Sequence, residues 1–154
     1  MERRRRQFLK RGGGLLSLLL SAGFLGLEDV SAEEWNRAAF EGKQPDDVIR
    51  VLGGTGARES AEVAILAPEI AENGAVVPLE VISKLDKTES IAIVVEKNPN
   101  PLAANFTIPD GTLPDIQTRV KMAQTCKVYA LVKANGKFYY AAKEIKITQG
   151  GCSG

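Results

Sequence analysis

The chain beyond Glu59 predicts an all-β fold, an antiparallel sandwich, and three features of the 154-residue sequence carry that expectation. Short runs rich in Val, Ile, Tyr and Phe recur there, and clusters of Gly, Pro, Asn and Asp separate them. About seven such runs fit the length of one domain, the number and spacing of an immunoglobulin-like sandwich. No internal repeat is visible, and the chain is long enough to bury a sizeable core.

The elements before the sandwich come first. Six of the 20 basic residues, Arg3, Arg4, Arg5, Arg6, Lys10 and Arg11, crowd the start, and an uncharged stretch from Gly12 to Leu27 follows. A transmembrane helix needs roughly 20 apolar residues, and this stretch is shorter and interrupted by glycines and serines, so a cleaved export signal fits better than an anchor. Val30-Ser31-Ala32 is a small-residue cleavage site. Arg5-Arg6-Gln7-Phe8-Leu9-Lys10 resembles a twin-arginine signal, with Arg4 where that motif usually has Ser or Thr. The expected location is therefore the periplasm. Residues 33–58 read as helical, with Trp35, Ala38, Ala39 and Phe40 in one cluster and Val48, Ile49, Val51 and Leu52 in another. Asp46 or Asp47 is the expected cap of the second helix, and Gly53-Gly54 its stop.

Within the sandwich, residues 59–148, strands are expected at 62–67, 76–83, 90–96, 103–108, 118–124, 127–134 and 137–148. Asn73-Gly74 and Asn135-Gly136 read as hairpin turns, because both residue types tolerate positive φ. Val120 and Met122 alternate with Arg119 and Lys121, which sets an inner and an outer face. Phe106, Tyr129, Phe138, Tyr139 and Tyr140 read as core or cross-strand packing rather than a binding platform. The proline-bearing run at 97–102 reads as a stiff connection between sheets.

Composition excludes several chemistries. Histidine is absent, which removes the usual general base and the commonest transition-metal ligand. Two cysteines cannot build a four-ligand zinc site, and a blue-copper site needs two His. No cofactor, metal or catalytic residue is expected. Past Ala32, 14 basic residues face 16 acidic ones, so nothing favours nucleic acid or an anionic membrane surface.

The chain ends Gln149-Gly150-Gly151-Cys152-Ser153-Gly154, an arm spanning 149–154 in which glycines impose almost no backbone preference. Five residues from Ile147 to Cys152 reach roughly 17 Å from the sheet edge. Two readings remain open on spacing alone. Cys152 is either an accessible carrier thiol or half of a disulfide with Cys126, the common fate of a cysteine pair in an exported protein. The latter would make a disulfide-closed periplasmic binding or structural sandwich.

Four segments, 68–78, 96–102, 118–123 and 136–154, together with the twin-arginine start, resemble the SoxY family, the sulfur-carrier subunits of SoxYZ complexes in bacterial thiosulfate oxidation. Gly150, Gly151, Cys152 and Gly154 match the family's terminal Gly-Gly-Cys-Gly-Gly, and Ser153 replaces one glycine. The resemblance implies a covalent sulfur attachment at Cys152, with Gly150, Gly151, Ser153 and Gly154 forming a swinging arm. It implies a heterodimer with a SoxZ-like β-sandwich subunit. It also implies transient visits to a c-type haem enzyme that couples thiosulfate, a sulfate-releasing hydrolase and a sulfane dehydrogenase, with this chain itself no enzyme. An unperturbed cysteine has a pKa of about 8.5, and no Lys or Arg in the tail lowers it. The arm is built for access, and activation falls to the partner enzymes.

Overall fold

The structure, a computed structural model, describes residues 36–149; Trp35 and the expected export signal lie outside the described residues. Helix α1 (Arg37–Glu41) and helix α2 (Pro45–Val51) precede nine described strands: β1 (Arg58–Glu59), β2 (Val63–Leu66), β3 (Ile70–Asn73), β4 (Val77–Ser83), β5 (Thr88–Val95), β6 (Leu102–Thr107), β7 (Asp115–Val120), β8 (Cys126–Ala134) and β9 (Lys137–Gln149). No helix among the described residues is long and apolar enough to cross a membrane.

Asn36 starts α1 by accepting the Ala39 N–H on its side-chain oxygen at 3.2 Å, which satisfies one of the amides every helix start leaves free. The expected caps of α2, Asp46 and Asp47, are not caps. That helix springs from extended Gln44 with Pro45 at its first position, where a fixed φ and a missing N–H cost nothing. The two aspartates fall in the first turn instead, facing the positive end of the helix dipole. Gly53 stops α2 as expected. At φ +85° its N–H reaches Arg50 O at 3.0 Å, and Gly54 N–H reaches Ile49 O at 2.8 Å, a closure that favours a residue without Cβ.

The strands form an all-β sandwich of two sheets. One has the order β1-β9-β8-β5-β6, with β3 also on β9, and the other has the order β2-β4-β7. All seven expected strands are present, as β2 and β4 to β9. Strand β7 lies earlier than expected because its ladder to β4 opens at Asp115 opposite Ile82 and closes at Val120 opposite Val77. Two short strands are additional. Both run parallel to β9 and share its outer edge, β1 beside Tyr139 and Tyr140, β3 beside Lys146 to Gln149. Neither has the apolar alternation that marks a strand in sequence; their pairing is a backbone matter.

Two layers of apolar side chains hold the sandwich. Alternate residues of β4 (Val77, Leu79, Val81) meet Ile91, Ile93 and Val95 of β5 and Val128, Ala130 and Val132 of β8 between the sheets. On the outer face of the large sheet, Val94, Leu102 and Leu131 pack under Ala39 and Val48 of the two helices. Strand β5 is thus buried on both faces from Ile91 to Val95, which is why its sequence reads as a continuous apolar run. Each fully buried Val or Ile contributes about 1.5–3 kcal/mol. The tyrosines pack as expected: Tyr129 and Tyr140 stand with ring centroids 6.4 Å apart in the outer layer, and Tyr139 faces the inner one.

The turns divide. Asn135 (φ 49°) and Gly136 (φ 70°) form the expected hairpin between β8 and β9, locked by Gly136 N–H donating to Glu89 Oε1 at 2.7 Å. Asn73-Gly74 is no hairpin. It carries the chain from β3 in the large sheet to β4 in the small one, with Asn73 Oδ1 accepting the Ala75 N–H at 2.8 Å. The run 97–102 likewise departs from expectation: it joins β5 and β6, antiparallel neighbours in one sheet, because Pro101 O accepts the Val95 N–H at 2.7 Å and turns the chain back on itself.

Replacing Gly53 by Ala should cost about 1 kcal/mol or somewhat more, because Ala is strained at positive φ. The loss should appear as a lower urea midpoint at unchanged slope, and Asn, which tolerates this region better, should cost less. Wild-type stability in the Ala variant would mean that the α2 stop relaxes to another conformation.

Candidate functional site

The residues predicted to carry function, Cys152 with Gly150, Gly151, Ser153 and Gly154, lie outside the described residues. What the structure describes is the end of the sandwich from which they depart. Strand β9 outruns β8: its pairing with β8 ends at Ile145 opposite Cys126. Beyond that point β3 takes over on the other edge, with Ala71 opposite Ile147 and Asn73 opposite Gln149. Side chains finish the ladder where β8 is missing. Thr125 Oγ1 accepts the Ile147 N–H at 2.9 Å, and Thr148 Oγ1 donates to Glu72 O at 2.9 Å.

The last described carbonyl is held as well. Gln149 O accepts the Gly74 N–H at 2.7 Å, and Gly74 O accepts the Met122 N–H at 2.7 Å. On either side of Met122, Asn98 Nδ2 donates to Lys121 O at 2.7 Å and Asn98 Oδ1 accepts the Ala123 N–H at 3.0 Å. Four separate stretches therefore meet around the base of the tail: the β3–β4 turn, the β5–β6 loop, the segment after β7, and the end of β9. These are the same four stretches that carry the sequence resemblance. Asn98, Thr125, Gly74 and Glu72 were not recognisable individually as site residues, because each acts through backbone groups that only the fold brings near.

The anchoring shortens the arm. Its base is Gln149 rather than Ile147, so three residues separate it from Cys152, and the Cα-to-Cα span is at most about 11 Å.

Cys126, the other sulfur, is a free thiol, 4% exposed, at the start of β8 within the inter-sheet core. Burial pushes its pKa above the usual cysteine range, and the nearby Glu96 carboxylate pushes the same way, while a backbone N–H of Lys97 opposes them. It is a poor nucleophile. A bridge to Cys152 is also hard to reach. Ile145 and Gln149 lie about 13 Å apart along the strand, with Cys126 about 5 Å to the side. An arm of about 11 Å and a bridge of at most about 6.8 Å between Cα atoms would have to double straight back and enter the core.

The described residues also form two open grooves. One, of about 1000 Å³, runs between α2 and the outer face of the large sheet past Tyr129 and Tyr140. The other, of about 800 Å³, lies on the outer face of the small sheet beside Leu66, Pro78 and Arg119. Among the described residues no cluster of three or more Cys, Asp or Glu is arranged to hold a metal ion.

Comparisons with known proteins extend over most of the chain. A family model described as "Sulfur oxidation protein SoxY" matches residues 49–152, a span that runs through Cys152. The solved structure of the sulfur carrier protein SoxY from Chlorobium limicola f thiosulfatophilum is 36% identical, with a TM-score of 0.59 over 67% of this chain and 94% of that one. A superoxide reductase (neelaredoxin) from Ignicoccus hospitalis is 22% identical, with a TM-score of 0.47 over 68% of this chain and 93% of that one. No curated protein matches the chain.

The Cys126 environment has a measurable consequence. Because the fold holds this proton more tightly than the unfolded chain does, the stability the group contributes is present below about pH 8.5 and is lost as pH rises through the unfolded value toward the raised folded one. A denaturation series across that window should show an alkaline loss that Cys126→Ala removes. Alkylation of the native protein near pH 8 should spare Cys126 until denaturant is added. Rapid native labelling at this position would mean that the end of β8 opens.

Proposed function

The chain belongs to the SoxY family of sulfur oxidation proteins, and we propose that it is a periplasmic sulfur carrier that binds oxidation intermediates covalently on Cys152 and presents them to separate enzymes. The observation that carries this reading is the anchoring of β9 through Gln149. With Gln149 held, three residues lead to the glycine-flanked Cys152, which supports a short tether, and the other cysteine, Cys126, is sequestered in the core. A tethered thiol serves several active sites in turn because linkage replaces repeated bimolecular capture by a local concentration.

The chemistry proposed at Cys152 balances with the enzymes the family resemblance implies. A c-type haem partner joins the thiol to thiosulfate, forming a sulfur–sulfur bond, releasing one proton and taking up two electrons. A hydrolase then adds water across the terminal sulfur–sulfur bond, releasing sulfate and leaving a persulfide for a sulfane dehydrogenase. This chain supplies the sulfur atom and its placement and needs no resident cofactor. A SoxZ-like β-sandwich is the proposed standing partner, and the twin-arginine start, with cleavage after Ala32, supports export of the folded pair. The disulfide-closed alternative finds no support in Cys126, which is free and buried.

Protein isolated from cells oxidising thiosulfate should carry added sulfur mass on its C-terminal peptide, and Cys152→Ser should abolish it while changing stability by less than about 0.5 kcal/mol. Cys126→Ser should still load. Loading that survives loss of Cys152, or a large fall in stability in that variant, would overturn the carrier reading.

Proline at Gly150 and Gly151 fixes φ near −65° and restricts the preceding residue. It should leave reaction with a small thiol reagent nearly unchanged and sharply reduce turnover by the partner enzymes, which need the sulfur placed to within about 1 Å. Unchanged turnover with every partner would show that a pliant tether is not required.

A further inference from the structure

We propose that Asn98 is a positioning residue for the carrier arm: its carboxamide sets the arm's base, and hence its length, through Met122 and Gly74. This rests on the reading of Cys152 as the carrier thiol.

Strand β7 leaves its ladder with β4 after Val120, so residues 121–123 have no neighbouring strand to order them. Asn98 takes that place. Like a peptide group, a carboxamide presents an N–H donor beside a carbonyl acceptor, with a second N–H to spare. It donates to Lys121 O at 2.7 Å and accepts from Ala123 N–H at 3.0 Å, flanking Met122 as a peptide of an adjacent strand would. The Met122 N–H, thus aimed, holds Gly74 O at 2.7 Å, and the Gly74 N–H holds Gln149 O at 2.7 Å. Met122 is fully buried and Gly74 is buried, so these backbone groups have little access to water as a substitute and depend on one another. Two peptide groups separate the Asn98 contact from the foot of the arm.

The consequence is the length of the tether. With Gln149 held, three residues lead to Cys152. If that bond opens, the foot retreats to Thr148, still tied to Glu72 O by its hydroxyl, and four residues lead to Cys152. The volume open to the thiol grows as the cube of that length, so its concentration in a docked enzyme's cleft falls about twofold. Nothing about the thiol itself changes. Proline at positions 99 and 101 stiffens the loop that carries Asn98, and Lys43 Nζ binds Asn100 Oδ1 in the same loop at 2.6 Å.

The test compares the full mature chain with its Asn98→Ala and Asn98→Asp variants, the latter keeping an acceptor for Ala123 but setting a carboxylate against the Lys121 carbonyl. Amide exchange should rise about tenfold at Ala123, Met122 and Gly74, the factor for one lost hydrogen bond, and stay unchanged at Ile93 and Val132. Sulfate release from the sulfur-loaded protein by a sulfate-releasing hydrolase should fall about twofold in kcat/KM, while the rate with a small alkylating reagent stays at the wild-type value. Asp should not restore what Ala loses. Faster exchange at the three amides with unchanged turnover would overturn the proposal, as would faster exchange throughout the sandwich, which marks a merely structural role. Loading of Cys152→Ser in parallel separates the two levels: if that variant still takes up sulfur the carrier reading falls, and if it does not, a null result at Asn98 counts against the positioning role alone.

Discussion

The whole end of the large sheet where Gln149 sits depends on strand β9 being longer than its partner. It runs from Lys137 to Gln149, and β8 covers it only as far as Ile145. The remaining residues stay in the sheet because β3 arrives from the opposite edge in parallel register and because Thr125 and Thr148 hydroxyls complete bonds that no strand supplies. A strand edge left open in this way would otherwise fray, since a terminus is ordered only as far as it is tied down. Here it is tied to the last residue before the glycines.

The same geometry keeps the two sulfurs in different worlds. Cys126 begins β8 and points into the inter-sheet core, where burial holds its proton on. Cys152 follows the anchored strand in sequence, three residues after Gln149. Thiol–disulfide exchange needs a thiolate and a close approach, and burial withholds both from Cys126.

The two faces of the large sheet divide labour. The inner face packs against β2, β4 and β7, and the outer face is covered by α1 and α2 through Val48, Val94 and Leu131. Strands β5 and β8 are therefore covered on both sides, and this rigid centre supports loops at one end that add Pro101 and Met122 to the buried side chains. Asn98 and Gly74 are tied there by hydrogen bonds, and Met122 both by its backbone bond to Gly74 and by a side chain buried in the inter-sheet core. Bonds of about 1 kcal/mol each are enough to order a loop and weak enough to be specific to it.

Much of this was legible residue by residue. The strands at β2, β4, β5, β6, β8 and β9 follow from runs of Val, Ile and aromatics between turn residues, and the hairpin at Asn135-Gly136 from two residues that accept positive φ; Cys152 stood out because nothing around it has a structural use. Strands β1 and β3 left no such mark, since Arg58-Glu59 and Ile70–Asn73 join the sheet through backbone bonds that any sequence can make. Asn73-Gly74 read as a hairpin because turn chemistry is local, whereas the choice of which strand follows is not. By itself the sequence determined the sandwich class, the location of its core and the candidate thiol, because burial patterns and an isolated cysteine are local properties of the chain. Only the tertiary structure decided where the arm begins, because Gln149 is held by Gly74, Met122 and Asn98, residues from 27 to 75 positions away whose contact depends on backbone groups brought together by the fold.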